Sequence, residues 1–273
     1  MMKYVKLLEG KDDLERKNTI IDVLNRKGYN HKLEKYNFSG QTKDNIIISL
    51  GRGKKEILIV THYDVVEKSP GANDNASTIA VIFDLLKKLK NYDPINKIKF
   101  IIFGDEEKDC IGSRAYIKKH SIKNIIAVYN MELVGYGNMI GIWPVTKDVK
   151  KSKALFVLKK TIKKLNYYYE EAGLLPLFFG DYKPFREAGL KDSFCISVVP
   201  KEEKEAIRKF VETPRFAIML KLMFNLVKIP RFFQLYHSSE DKSKYLSENA
   251  LKMTSDVLYN VIINIDRLNK YYE

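Results

Sequence analysis

The sequence predicts an α/β fold, an open and largely parallel sheet covered by helices on both faces. Short β-branched runs alternate with amphipathic helical stretches, the pattern of strands joined by crossover helices. With 45% hydrophobic and 30% charged residues, the 273-residue chain can bury a sizeable core. No break in composition and no internal repeat divides it, so a single domain over 1–273 is expected.

Leu14, Ile20, Ile21 and Leu24 give an apolar stripe to a helix from about Asp12 to Lys27, with Gly28 as its C-terminal stop. Asn45–Leu50 and Glu56–Thr61 read as strands flanking the turn Gly51-Arg52-Gly53. A helix over Ala76–Leu89 follows, then strands over Lys97–Phe103 and Asn124–Asn130. Eight lysines between Lys147 and Lys164 surround Leu155, Phe156, Leu158, Ile162 and Leu165, as on the wet side of an amphipathic helix. Phe194–Val199 is another strand. Residues 201–235 should form a helical insertion, with Pro214 opening one helix and Pro230 following its end. Its apolar stretch Phe216–Val227 reads as a core helix, a lid or an oligomer contact. A long helix over Ser247–Leu268, with Leu251, Leu258, Ile262 and Ile265 inward, closes the chain.

The formal charge of +14 raises the question of nucleic acid. Lysines spread over a helix's solvent face do not form a phosphate-binding stripe, so no nucleic-acid partner is expected. Charges interrupt the opening ten residues, unlike a signal peptide, and no run reaches the roughly 18 apolar residues of a membrane span. No membrane association and a cytoplasmic location are the corresponding expectations. Cys110 and Cys195 are too few and too far apart for a disulfide framework or a zinc knuckle.

In sheets of this type the chemistry gathers in loops at the carboxyl ends of strands. There the sequence places His62 and Asp64, where the acid could hydrogen-bond the ring and fix its tautomer. Asp74 follows in Ser69-Pro70-Gly71-Ala72-Asn73-Asp74-Asn75-Ala76-Ser77, where it could cap the next helix; Gly71 and Ala72 leave room beside it for a ligand. Asp105-Glu106-Glu107 is expensive without a cation, because adjacent carboxylates repel. Glu132 ends the next strand, and His237 lies in a loop before the last helix. Two imidazoles and several carboxylates suit zinc or a similar metal, and a bridging carboxylate suits a pair of ions.

This ordered set resembles the co-catalytic zinc aminopeptidases, metallopeptidase family twenty-eight, which also contains glutamate carboxypeptidases and glutaminyl cyclases. Further matching stretches are Gly112-Ser113-Arg114-Ala115-Tyr116, Asn130-Met131-Glu132, Gly180-Asp181-Tyr182-Lys183-Pro184-Phe185 and Tyr236-His237. The resemblance implies a three-layer α/β/α sandwich with a mostly parallel mixed sheet, two divalent ions, zinc by analogy, and a peptide substrate. By it His62, Asp74 and Glu132 would surround one ion, and Asp74, Glu107 and His237 the other. Glu106 would be the general base and Asp64 the orienter of His62. Glu132 stands where the family's common ligand is Asp, and Asp181-Tyr182 where Asp-His is usual; Tyr182 could donate to an oxyanion or simply pack. An aminopeptidase is the expected function, with glutaminyl cyclase or carboxypeptidase chemistry, or a catalytically silent binding protein, as alternatives.

Overall fold

The computed structural model describes residues 1–175, 178–214, 216–217 and 229–268. Eight strands form one mixed sheet: β1 (His31–Phe38), β2 (Gln41–Leu50), β3 (Glu56–His62), β4 (Lys97–Phe103), β5 (Ile125–Met131), β6 (Met139–Trp143), β7 (Tyr169–Glu171) and β8 (Ser193–Val199). Their order is β1-β2-β4-β3-β5-β8-β6-β7. The four central strands, β4, β3, β5 and β8, are mutually parallel, whereas β1, β2 and β6 join antiparallel.

Helices cover both faces. On one side α1 (Met2–Leu8), α2 (Asp13–Arg26), α3 (Ser77–Lys88), α5 (Lys153–Lys164) and α9 (Glu248–Leu268) bury the larger core against Ile57, Ile59, Phe100 and Ile102. On the other, α4 (Ile111–Lys119) and α6 (Tyr182–Glu187) place Tyr116 and Phe185 against Leu58, Val60, Ile101 and Phe103. Successive strand residues thus feed opposite cores, which is why Ile57–Val60 and Phe100–Phe103 are continuous apolar runs. Among the described residues of the 201–235 segment lie α7 (Lys204–Glu212) and α8 (Arg231–Leu235).

Several expectations need revision. Leu14 is 61% exposed, and α2 instead buries Arg16, Ile20, Val23 and Leu24. Its start is a capping box in which Asp12 and Glu15 satisfy each other's backbone N–H groups. In α5, capped by Ser152, Phe156 faces outward at 64% exposure. Pro230 caps the start of α8; the helix it was expected to follow falls largely on residues outside those described. Of the stretch Phe216–Val227, residues 218–227 lie outside the described residues. β1 has no strand-like apolar pattern because it is a charged edge strand. No described helix is long and apolar enough to cross a membrane.

Candidate metal centre

Because β4, β3 and β5 are parallel, their carboxyl ends share one edge of the sheet, and the loops leaving them converge. His62, the last residue of β3, is buried. Its Nδ1 donates to the carbonyl oxygen of Asp64 at 3.1 Å and stands 3.3 Å from Asp64 Oδ1. A carbonyl can only accept, so the proton sits on Nδ1 and Nε2 is left to face the acids. Asp64 Oδ2 in turn accepts the Glu107 backbone N–H at 3.0 Å, joining two of the loops.

Asp74 lies at the centre. Its Oδ1 is 3.3 Å from His62 Nε2, and its Oδ2 is 3.2 Å from His237 Nε2. Glu132 Oε2 is 3.3 Å from His62 Nε2, and Glu107 Oε2 is 3.0 Å from His237 Nε2. Two sets, His62 with Asp74 and Glu132, and Asp74 with Glu107 and His237, each bring three ligand atoms within 4.8 Å of one another. His62, Glu106 and Glu107 form a third such set. Zinc bonds of about 2.0–2.1 Å in a tetrahedron separate neighbouring ligands by about 3.3–3.4 Å, so these spacings fit ligands of a common ion. Glu132, despite its longer arm, is held: Asn130 Nδ2 donates to its Oε1 at 3.0 Å, and Asn75 Nδ2 to its Oε2.

The electrostatics ask for cations. Burial, reinforced by Glu132, Asp181 and Glu107, pushes the Glu106 carboxyl well above the usual range against the pull of His62. Burial and the Asp74 charge lift Glu107 to about 7. For the imidazoles burial acts the other way but is outweighed: Glu132 and Glu106 raise His62 well above its usual value, and Asp74 and Glu107 raise His237 to about 10. Among the described residues, Asp64 Oδ1, both Asp181 oxygens and Asp74 Oδ2 are buried without a hydrogen-bond donor, the 3.2 Å approach of His237 lacking hydrogen-bond geometry. Buried acceptors short of donors, facing imidazole nitrogens at coordination spacing, fit a divalent metal.

Seven residues singled out in the sequence therefore meet here: His62, Asp64, Asp74, Glu106, Glu107, Glu132 and His237. Asp105 does not join them. At φ +53° it turns back to Tyr36 at 2.8 Å, Lys43 at 3.2 Å and Lys108 at 2.8 Å, leaving two of the three adjacent acids in the cluster. Asp181 is fully buried, and burial holds its carboxyl well above the usual range. Tyr182 packs edge-on against Trp143, ring centroids 5.4 Å apart, while its backbone N–H donates to Asn130 Oδ1 at 3.1 Å. The room expected at Gly71 is taken by the Arg16 guanidinium.

Other participants carried no assigned role in the sequence. Tyr236 stacks on His237 at 3.6 Å and walls the cleft with Trp143, Phe178 and Phe179; its only sequence signal is its place beside that histidine. Asp241 accepts the backbone N–H groups of Asn73 at 2.7 Å and Asp74 at 3.0 Å. Next to the cleft, and sharing Leu133, Trp143 and Phe178 with it, opens a largely apolar cavity of about 290 Å³. Ile142, Val199, Ile207, Val211, Phe232 and Phe233 also line it.

Among curated proteins, the chain is 28% identical over 190 residues to the aminopeptidase YwaD of Bacillus subtilis, covering 66% of this chain and 41% of that one. It is 23% identical over 171 residues to a probable leucine aminopeptidase of Arthroderma benhamiae, covering 58% and 47%. It thus spans less than half the length of either. Among solved structures, the zinc aminopeptidase BSAP of B. subtilis superposes with a TM-score of 0.64 at 24% identity, over 84% of this chain and 51% of that one. Porphyromonas gingivalis glutaminyl cyclase superposes with a TM-score of 0.70 at 16% identity, over 97% and 96%. At these identities the superpositions speak to the fold. The model of peptidase family M28 matches residues 45–262. That match takes in every loop that feeds the cluster of acids and imidazoles, and by it this chain belongs to peptidase family M28.

Proposed function

We propose that this chain is a metal-dependent aminopeptidase that holds two divalent ions, zinc by the chemistry of its donors. The observation that carries the reading is Asp74, which turns one oxygen toward His62 and the other toward His237. His62, Asp74 and Glu132 would hold one ion, and Asp74, Glu107 and His237 the other. What such ions supply, when bound, is a lowered pKa for water and polarisation of the scissile carbonyl.

Glu106 serves as the general base. Its Oε2 is 3.8 Å from His62 Nε2, and its raised pKa suits a group that accepts a proton from the attacking water and returns it to the leaving amine. Asp64 keeps His62 in the tautomer that leaves Nε2 free. We read Tyr182 and Asp181 as a wall behind the site: both are buried, the Tyr182 ring packs edge-on against Trp143, and its backbone N–H holds Asn130, which holds Glu132.

The neighbouring cavity would receive the substrate's first side chain, and its apolar walls favour a large apolar one. Ile207 and Val211 of α7 and Phe232 and Phe233 of α8 belong to those walls, which supports a lid over 201–235. The continuous sheet supports one domain over 1–273. Glutaminyl cyclisation is the second reading, favoured by the fold likeness to the P. gingivalis enzyme over nearly both full lengths.

Elemental analysis combined with a panel of aminoacyl reporters and an amino-terminal glutaminyl peptide tests both readings. Two zinc ions per chain, and leucyl and phenylalanyl reporters cleaved faster than glycyl ones, are expected. Cyclisation without hydrolysis would favour the second reading. Absence of any transition metal, with activity indifferent to chelators, would overturn the metal mechanism.

A further inference from the structure

A buried cation stands behind the Asp74 turn. Arg16 of α2 is fully buried, and the carboxylates of Asp74, Asp241, Asp13 and Asp64 are near enough to act on its charge. Its Nη2 donates to the carbonyl oxygens of Pro70 and Gly71, both at 2.8 Å, and its Nε to that of Lys11 at 3.1 Å. Among the described residues Nη1 is buried without an acceptor. The fit is close: a Cβ on Gly71, which sits at φ +63°, would lie 2.2 Å from Arg16 Nη2. Holding a guanidinium in the interior is costly unless acceptors compensate it, and here the carbonyls of Lys11, Pro70 and Gly71 do so.

The turn is gripped from both sides. Arg16 takes two of its carbonyls, and Gly71 O also accepts the Ala76 N–H at 3.2 Å. From the far side Asp241 takes the N–H groups of Asn73 and Asp74 through its carboxylate and that of Ala72 through its carbonyl oxygen at 3.1 Å. The Asp74 carboxylate can face both imidazoles only if the backbone beneath it is fixed. Arg16 lies outside residues 45–262, so a segment beyond the family match supplies one half of this grip.

We infer that Arg16 is a positioning residue for the metal centre: by holding the Pro70 and Gly71 carbonyls it sets where the Asp74 carboxylate stands, and hence the affinity for the ions. The inference rests on Asp74 being the shared ligand. Arg16 itself touches neither ion nor substrate. A lysine keeps the charge but loses the planar fork that reaches several carbonyls at once.

Zinc titration of the metal-free full chain against a competing chelator tests this, using Arg16→Lys, Gly71→Ala and, as a control in the same helix, Ile20→Val. Residues that orient metal ligands typically carry about 10- to 100-fold in affinity. A loss of that size is expected for Arg16→Lys and for Gly71→Ala, whose Cβ would meet the guanidinium at 2.2 Å and the Asp74 carbonyl oxygen at 2.8 Å and so disturbs the same grip from the loop side should the arginine variant not fold. Ile20→Val should lower the denaturation midpoint but leave zinc affinity unchanged. Wild-type protein binding two ions, with either grip variant folded and binding them equally well, would overturn the inference alone; so would an affinity loss that Ile20→Val shares. Wild-type protein that takes up no zinc would overturn the reading of the site, and the inference with it.

Discussion

At the two ends of β4 the chain buries carboxylates in opposite ways. Before the strand begins, Asp266 of α9 accepts Tyr92 Oη at 2.7 Å, Ile95 N at 2.9 Å, Asn96 N at 2.7 Å and Asn96 Nδ2 at 2.9 Å. After it ends, Glu106 and Glu107 face Asp74, Glu132 and Asp181 across a cluster in which buried oxygens lack donors. Four donors make Asp266 a structural tie between the last helix and the loop before β4. At the other end too few donors face too many acids, and only imidazoles and cations can balance them. Burial of a charge therefore says little about function; an unfilled demand for donors says much.

Removing the metal should separate the two ends most sharply. Treatment with a strong chelator is expected to abolish hydrolysis and lower the unfolding temperature, since an ion at about 100 times its dissociation constant adds roughly 2.7 kcal/mol. Readdition of zinc should restore both, and a melting curve blind to chelator would leave the acid-rich end without its counter-charge. Next in size, Glu106→Gln should cut kcat by about a hundredfold or more at unchanged zinc content. Glu107→Gln should instead lose zinc. Full turnover by the first variant would exchange or dissolve these roles.

At the other end, Asp266→Asn puts an amide among four donors and should cost about 2 kcal/mol of folding stability in a urea titration. Zinc content and kcat should stay at wild-type values; a fall in either would break the contrast between the ends. Glu132→Ala should weaken zinc binding by about tenfold, as an anion beside His62 is lost, and Glu132→Asp should also lower activity by falling short. Equal zinc affinity in the wild type and Glu132→Ala would remove Glu132 from the ligand set.

The smallest effect is in protons. In the metal-free protein His237 keeps its proton up to about pH 10 and Glu107 up to about pH 7. Ligands must shed them, so zinc uptake should release protons, more at pH 6 than at pH 8, and affinity should rise with pH. Calorimetry in buffers of different ionisation enthalpy reads this directly, and zinc uptake without proton release would deny these two groups a place at the ion.

The positions of His62, Glu106, Glu107 and Glu132 were legible because each follows an apolar run that can only be a buried strand, and parallel strands bring such ends together. Local pattern also marked α3, α9 and the wet face of α5. It misread Leu14, since Arg16 rather than Leu14 turns inward from the first turns of α2, and it passed over β1, whose charges suit an edge strand and resemble a loop. It could not say that Asp105 turns to Lys43 and Tyr36, 62 and 69 residues away, or that Arg16 and Asp241 grip one turn from 54 and 168 residues away. Sequence by itself determined which chemistry stands at the strand ends, because periodicity and burial are local properties of a segment. Which acids face the cluster, and what holds Asp74 between the two imidazoles, only the tertiary structure decided, because hydrogen bonds between distant segments exist only once the sheet has set their distance.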